Sequence, residues 1–352
     1  MAKPSIHHHR IFYKTMPKVE LHRHLEGSLR LGTMIEIARE FQLDVPYDNI
    51  DSLRTMVQIE DGDPFTHDNF LSKFQTLRKF YQSPEVIQRM AREVVADAAE
   101  DNIRYIEIRF TPVALTRVRD FPMREAIDWV VEATNQAAKD YGIKTQLIAS
   151  VNRHESLELA EEAIGLAVDR RDDGIVGIDL AGDEAKAPGE QFGALFMEAK
   201  KEGMHVTVHA GEWGGAENVI EAIDLLGAER IGHGVRVMED ASAVEMAIER
   251  NIPFEVCVTS NYQSGVTPTL QEHPLPDMHK AGLDVTINTD DPSLSQIDLS
   301  DEFELAAEDL NFTPKMLEEC ILCAAKTAFL EEGERAELVK KMEMEFNNNA
   351  GD

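Results

Sequence analysis

The chain has 352 residues, of which 43% are hydrophobic, and 65 acidic residues against 35 basic ones give a formal net charge of −30. This charge argues against nucleic acid and anionic membranes as partners, because both are usually bound through basic patches. Only three cysteines occur. The N-terminus has no apolar signal segment, and no apolar run reaches about 18 residues, so we expect a cytoplasmic protein without a membrane partner.

Eight short runs rich in Val, Ile or Phe predict β-strands along the chain. The predicted strands are 18–21, 103–110, 144–150, 175–180, 205–208, 230–231, 253–258 and 284–288. Apolar residues at three- and four-residue spacing predict helices between most of them, for example at 156–171, 190–202, 217–226 and 241–250. This alternation predicts a (β/α)8 TIM barrel, whose active site lies at the C-terminal ends of the strands. The alternative is an open doubly wound sheet, which places its ligand at one switch point.

The chain is longer than a plain barrel of about 250 residues, and the excess lies in two places. Residues 29–102 follow the first strand and predict a helical insertion over the barrel mouth, with helices at 31–41, 65–81 and 84–101. A second excess, from about 298 to 346, predicts extra C-terminal helices on the outside. No linker or repeat divides the chain, so residues 1–352 are expected to form one domain. We interpret the polar N-terminal segment with histidines at 7–9 as a mobile tail.

Residues with metal-binding chemistry follow several of the predicted strands. They are His22 and His24 in VELHRHLEG, His209 in VTVHAGE, His233 in IGHG, and Asp290 and Asp291 in INTDDP. Residues two apart in a strand point to the same side, so His22 and His24 can both bind one metal. The pair alone would also fit solvated histidines, but the further strand-end residues indicate a metal site. A histidine–carboxylate set suits Zn²⁺, with Fe²⁺ and Mn²⁺ as alternatives.

A metal site of this kind needs a proton donor for hydrolytic chemistry at an unsaturated carbon. A bound divalent ion lowers the pKa of its water to about 7 and so provides a nucleophile. Glu212 lies three residues after His209 and is the candidate acid, because a carboxyl in a closed apolar pocket can stay protonated. The alternative for Glu212 is a structural role in the first turn of a helix.

The motifs VELHRHLEG, GIDLAGDE, HAGE, RIGHG and INTDDP occur in one order over residues 19–292, with FLSKF and IEIRFTP between them. Together they resemble the adenosine deaminase family of the amidohydrolase superfamily. The resemblance implies a zinc-dependent hydrolytic deamination of a 6-aminopurine. It implies one metal ion per chain, with the ligands His22, His24, His209 and Asp290. Glu212 would protonate the purine ring at N1.

The same resemblance implies further roles around the substrate. His233 would lie beside the metal-bound water and stabilise or deprotonate it. Asp291 would hydrogen-bond purine N7, and the backbone N–H of Gly182 would reach purine N3. Glu255 would orient His233, or instead form a structural ion pair. Three apolar residues of the insertion are predicted to face the pocket or, alternatively, to pack the insertion onto the barrel: Phe70, Leu71 and Phe74.

Two departures from the family pattern bear on the substrate. Many members carry Asp where this chain has Glu26, and that Asp contacts the ribose 5′-hydroxyl. The alternative is that Glu26 hydrogen-bonds a ligand histidine and supports the metal site. The usual Cys-Pro-x-Ser segment reads CVTS at 257–260. Adenosine or deoxyadenosine is the expected substrate, and adenine or a modified adenosine of the aminofutalosine type is the alternative. Another amidohydrolase activity, or a non-catalytic binding protein of the same fold, fits the motifs less well.

Overall fold

A computed structural model describes the backbone of residues 6–349 and the side chains of residues 10–348. Eight strands form one sheet in sequential order, and each neighbouring pair is parallel. The strands are β1 (Lys18–His24), β2 (Ile103–Phe110), β3 (Lys144–Asn152), β4 (Ile175–Ala181), β5 (His205–Ala210), β6 (Arg230–His233), β7 (Phe254–Val256) and β8 (Val285–Ile287).

The helices alternate with the strands, and short 3₁₀ turns occur between some of them. The helices are α1 (Ile6–Thr15), α2 (Leu31–Glu40), α3 (Ile50–Val57), α4 (His67–Leu77), α5 (Pro84–Glu100), α6 (Pro112–Thr116), α7 (Met123–Tyr141), α8 (Leu157–Val168), α9 (Gly193–Lys201), α10 (Ala216–Asp224), α11 (Ala241–Glu249), α12 (Val258–Gln263), α13 (Leu275–Ala281), α14 (Pro292–Ser295), α15 (Leu299–Glu308), α16 (Pro314–Thr327) and α17 (Glu332–Asn349). This is the (β/α)8 barrel that the strand–helix alternation predicts.

The barrel closes where the segment after β8 meets β1. Arg23 and Asp290 form a parallel bridge. Asp290 donates its backbone N–H to the carbonyl of His22 at 3.0 Å, and its own carbonyl accepts from His24 at 2.8 Å. Asp290 therefore lies between the two histidines of β1, although 266 positions separate it from His24 along the chain.

Several strands extend further than their apolar runs predict. Strand β1 continues to His24 and β6 to His233, and His209 and Ala210 of β5 pair with Gly232 and His233 of β6. The pattern of apolar residues underestimates these strands because the polar side chains at their ends do not interrupt the backbone ladder. The site histidines therefore belong to the strands themselves, which are more rigid than loops.

The segment between β1 and β2 contains four helices, from α2 to α5. Side-chain caps define the starts of three of them: Asn49 accepts from the N–H of Ser52 before α3, Thr66 accepts from Asn69 before α4, and Ser83 accepts from Val86 before α5. The predicted helix 65–81 is divided, because a 3₁₀ turn at Arg78–Phe80 follows α4. The α3 helix was not predicted.

At the two ends of the chain, helices pack on the outside of the barrel. Helix α16 contacts β1 and β8, and α1 contacts α15. Helix α1 begins at Ile6, so the histidines at 7–9 lie in a helix and the interpretation as a tail is wrong for them; residues 1–5 lie outside the described part. None of the described helices combines the length and apolar character of a membrane span.

Candidate active site

Four strand-end side chains bring their donor atoms together at one end of the barrel: His22, His24, His209 and Asp290, with one donor atom of each within 4.8 Å of the others. His24 Nε2 lies 3.2 Å from His209 Nε2, and Asp290 Oδ1 lies 3.3 Å from the Nε2 atoms of both His22 and His24. Donors about 2.1 Å from a tetrahedral zinc ion stand about 3.4 Å apart. The observed spacing therefore fits a zinc-sized ion.

The imidazole rings are oriented by carboxylates on their far sides. His22 Nδ1 donates to Glu255 Oε2 at 2.9 Å, and His209 Nδ1 donates to Asp179 Oδ1 at 2.9 Å. With the proton held on Nδ1, each ring turns the lone pair of Nε2 toward the centre. Within the described residues, His22 Nε2 is buried and makes no hydrogen bond, as expected of a ligand atom.

Buried arginines hold these two carboxylates in place. Arg109 Nη2 donates to Glu255 Oε2 at 2.6 Å, and Arg109 Nη1 lies 3.5 Å from Asp179 Oδ2. Burial alone would raise the pKa of Glu255, but the charges of Arg109 and Arg230 hold it well below its usual value. The network keeps both carboxylates ionised beneath the candidate metal ligands.

Of the two expectations for Glu255, the structure shows the ion pair, with Arg109 and Arg230, and not the contact with His233. Glu255 pairs with Gly232 in the sheet register, so its side chain lies beneath the site, among Arg109 and Arg230, and reaches His22 across the barrel. His233 Nδ1 instead lies 3.1 Å from Nδ2 of Asn261 on α12. Glu255 thus orients a candidate metal ligand.

The backbone is left-handed at two site residues, with φ of 59° at His233 and 64° at Asp290. Residues other than glycine adopt this region at a cost of about 1–3 kcal/mol, which the surrounding structure must offset. At Asp290 the two backbone hydrogen bonds to β1 do so, and Ser260 donates its hydroxyl to Asp290 Oδ2 at 2.7 Å. Asp290 is therefore fixed through both its backbone and its side chain.

Glu212 lies on the loop after β5, buried beside the candidate metal ligands. Its Oε2 is 3.7 Å from His233 Nε2. The carboxylate of Glu184 holds this loop, because it accepts from the backbone N–H groups of Gly211, Glu212 and Trp213 at 2.8, 2.6 and 2.9 Å. Burial, followed by the charges of Asp290 and Glu184, raises the pKa of Glu212 well above its usual value. A carboxyl in this state can donate a proton at neutral pH.

The remaining sequence-predicted residues surround one cavity, together with His24, His209, His233 and Asp290. These residues are Glu26, Phe70, Leu71, Phe74, Gly182, Glu212 and Asp291. His22 and Glu255 do not line this cavity and lie beneath it, fully buried. The buried carboxyl of Glu212, the candidate metal centre and apolar side chains of α4 thus line the same cavity.

Two carboxyl groups that line this cavity are incompletely hydrogen-bonded within the described residues. Glu26 accepts from the N–H of Thr111 at 2.6 Å through Oε1. Its Oε2, like Asp291 Oδ1, is buried without a hydrogen-bond partner in the described part of the chain. Only glycine fits at position 27, the last residue of the HLEG motif, because a Cβ there would lie 1.7 Å from Asp291 Oδ1. Burial and the neighbouring Asp290 raise the pKa of Asp291 well above its usual value.

Several residues of the site were not predicted from the sequence. They are Arg78, Arg109, Asp179, Glu184 and Asn261. Arg109 and Asp179 could have been noticed as charged residues inside the apolar runs IEIRF and GIDLA. Arg78 gives no such signal; it lines the cavity, and its Nε is buried without a hydrogen-bond partner among the described residues.

Comparison with known proteins gives concordant matches. The family model described as adenosine deaminase matches residues 17–345. The adenosine deaminase of Vibrio parahaemolyticus is 35% identical over 329 residues, which are 94% of this chain and 98% of that protein. Among solved structures, adenine deaminase from Arthrobacter aurescens matches with a TM-score of 0.85 and 29% identity, over 94% of this chain and 99% of that one. An amidohydrolase from Burkholderia ambifaria with bound Zn matches with a TM-score of 0.88 and 28% identity, over 100% and 97%.

Proposed function

This chain belongs to the adenosine deaminase family of purine-deaminating hydrolases, and we propose that it is a zinc-dependent adenosine deaminase. The reaction adds water at C6 of adenosine or deoxyadenosine and releases ammonia, which leaves inosine or deoxyinosine. The observation that carries this proposal is the convergence of four donor atoms, spaced for a zinc-sized ion, with a buried acid in the same cavity. The zinc in the similar amidohydrolase structure supports the choice of metal.

The donor set consists of three imidazole nitrogens and one carboxylate oxygen, which is a common zinc environment. His22, His24, His209 and Asp290 would hold the ion. When bound, the ion supplies a water molecule activated as a nucleophile at neutral pH. Because Glu255 and Asp179 fix the rings of two ligands, the site is organised before an ion binds.

Two side chains and one backbone N–H group of the cavity then contact the purine ring. Glu212, with its raised pKa, donates a proton to ring N1 and makes C6 more electrophilic. Asp291, whose pKa is also raised, donates a hydrogen bond from its protonated form to N7. The backbone N–H of Gly182, at the end of β4, hydrogen-bonds N3. His233 contacts the attacking water.

The other end of the cavity determines which 6-aminopurine is accepted. Glu26 Oε2 has no protein partner among the described residues, and a buried carboxylate oxygen is costly unless a ligand hydroxyl satisfies it. We assign this oxygen to the ribose 5′-hydroxyl. The insertion 29–102 covers the barrel mouth, with Phe70, Leu71 and Phe74 against the substrate. Adenine is the second candidate substrate, because the similar Arthrobacter structure is an adenine deaminase.

The proposed partners are small purines only. The net charge of −30 opposes binding to nucleic acid. Free thiols at Cys257, Cys320 and Cys323 favour a reducing compartment such as the cytoplasm.

Metal analysis and a substrate panel test the proposal. Protein purified without added metal should contain close to one equivalent of zinc per chain. Adenosine and deoxyadenosine should have higher kcat/KM values than adenine or methylthioadenosine. Activity that survives prolonged chelation would contradict the metal dependence. A higher kcat/KM for adenine would show that the free base, and not the nucleoside, is the preferred substrate.

A further inference from the structure

A chain of hydrogen bonds between buried side chains leads away from His233 into the protein. His233, Asn261 and His273 are 1%, 0% and 3% exposed. His233 Nδ1 lies 3.1 Å from Asn261 Nδ2, and Asn261 Oδ1 lies 3.2 Å from His273 Nε2. His273 Nδ1 lies 3.1 Å from the backbone nitrogen of Leu275. Because the chain ends at a backbone N–H group, its hydrogen bonds have a fixed direction.

We propose that Asn261 and His273 are positioning residues that keep the ring proton of His233 on Nε2. His233 then donates a hydrogen bond to the attacking oxygen and does not accept that oxygen's proton. The hydrogen bond to the attacking oxygen rests on the proposed function, whereas the location of the ring proton on Nε2 of His233 does not.

The first step is the ring of His273. A backbone N–H can only donate, so Nδ1 of His273 must accept and carries no proton. Burial lowers the pKa of His273 to about 3, so the ring is neutral and has a single N–H. That proton is therefore on Nε2, which must donate to its neighbour.

The second step is the amide of Asn261. Its Oδ1 accepts from His273 Nε2, which leaves Nδ2 as the group that faces His233. A rotated amide would put its NH₂ group against the N–H of His273, and a buried donor would lose its acceptor. The residue itself is fixed, because its backbone carbonyl accepts from Val266 and Thr267 at 2.9 and 3.2 Å.

The third step is His233. Its Nδ1 accepts from the amide of Asn261, so the single proton of the neutral ring lies on Nε2. This nitrogen faces the reaction site, 3.7 Å from Glu212 Oε2 and 4.0 Å from Asp290 Oδ2. An N–H group there can stabilise negative charge on an oxygen, but it has no lone pair with which to take a proton.

The proton positions can be measured directly. Protein labelled with ¹⁵N-histidine and purified with its metal gives long-range ¹H–¹⁵N spectra that distinguish the two tautomers. The signals of His233 and His273 are assigned by their loss in His233→Gln and His273→Gln. Both rings should show protonated Nε2 and unprotonated Nδ1. A proton on Nδ1 of His233 in the parent protein would overturn the proposal.

A variant can reverse the direction of the chain. In Asn261→Asp the carboxylate accepts from both histidines, so the proton of His233 should move to Nδ1. The kcat for adenosine should fall by about 10–100-fold, with little change in KM and with metal content preserved. If the proton stays on Nε2 in this variant, the amide does not determine its position and the proposal fails.

The other end of the chain allows a test by conservative replacement. His273→Gln keeps an N–H donor toward Asn261 Oδ1, whereas His273→Leu removes it, so Gln should retain the Nε2–H form of His233 and a higher kcat. His279→Gln on α13, which removes a contact with Glu319, is the matched control and should change neither. Equal kcat values for the Gln and Leu variants would contradict the proposed relay, the hydrogen-bond chain from His273 through Asn261 to His233. Protein that shows the expected tautomers but deaminates no purine would refute the proposed function and leave the relay intact.

Discussion

The two walls of the cavity are built differently. The floor consists of the candidate metal ligands and the charged side chains beneath them, where Arg109 binds Glu255, Glu255 binds His22, and Asp179 binds His209. The cover is formed by α4 and the turn that follows it, with Glu26 beside them, and it contributes mostly apolar groups. Buried polar atoms of Glu26 and Arg78 there have no hydrogen-bond partner within the described residues. Among the same residues, unpartnered buried atoms also occur in the floor, at His22 Nε2 and Arg109 Nε. The difference is that the floor is a connected network of charged side chains, whereas the cover combines apolar side chains with isolated polar atoms, which we propose to meet the substrate.

The largest effect should come from Glu212, at the edge of the floor. Glu212→Gln keeps the size of the side chain but cannot donate a carboxylic proton, so kcat should fall by at least ~10²–10⁴-fold. Zinc content and folding should remain normal, because Glu212 is not among the four clustered donors. Steady-state kinetics with metal analysis checks both points, and a variant with more than a tenth of the parent kcat would exclude Glu212 as the required acid.

The same residue gives the sign of a pH dependence. The pKa of Glu212 is raised in the folded protein, mainly by burial, so its acid form persists well above the usual range. Since the acid form is the active one, kcat/KM should fall as the pH rises through this pKa.

The floor was largely predictable from the sequence, and the reason is geometric. His22 and His24 share one side of a strand because side chains alternate, and a parallel barrel gathers strand ends wherever they lie in the chain. The charges beneath were not predicted: Arg109 and Glu255 are 146 positions apart, and only the packed interior shows that they meet. Packing also explains why Glu255 contacts His22 and not His233. The register of the strands decides which histidine ring the side chain reaches inside the barrel.

The cover was predicted less completely. The insertion follows from the spacing of the strands, but the division of the helix after Leu77 and the position of Arg78 depend on packing that no local pattern records. The spacing of apolar residues gives no indication that Arg78 lines the cavity with an unpartnered Nε. Reaction chemistry could therefore be predicted from this sequence more fully than substrate choice.

Asp179 tests whether the layer beneath the ligands matters for the metal. In Asp179→Asn the partner of His209 Nδ1 loses its charge, and metal affinity should decrease by about 10–100-fold. Glu229→Gln is the matched control, because Glu229 accepts from His205 Nδ1 at 2.9 Å at the opposite end of the same strand. Competition with a zinc chelator measures both affinities. Equal losses in the two variants would show a general loss of stability instead of a local effect.

A substitution of Glu26 tests whether the cover recognises the ribose of a nucleoside. Glu26→Gln retains an acceptor oxygen without its charge, so kcat/KM for adenosine should fall by about tenfold. Adenine turnover should hardly change, and 5′-deoxyadenosine, a poor substrate of the parent, should recover relative to adenosine. Equal losses on all three substrates would refute the contact with the 5′-hydroxyl. With a loss of metal as well, they would indicate that Glu26 supports the metal site.

Phe74 separates substrate contact from simple packing of the cover, and its effect should be the smallest. It lines the cavity and is partly exposed, and its ring centroid lies 6.4 Å from that of Phe70. Phe74→Ala should lower stability by less than the ~3–5 kcal/mol of a fully buried phenylalanine. It should also change the ratio of KM values for adenosine and adenine by a few-fold.

Phe41 provides the matched control for Phe74, because it is also partly buried against the core but does not line the cavity. Phe41→Ala should lower the melting temperature without altering the KM ratio, since no substrate atom depends on it. If Phe74→Ala behaves in the same way, Phe74 packs the insertion onto the barrel and does not contact substrate. Within the described cover, Glu26 Oε2 and Arg78 Nε would then remain as unpartnered atoms that can distinguish a nucleoside from a free base.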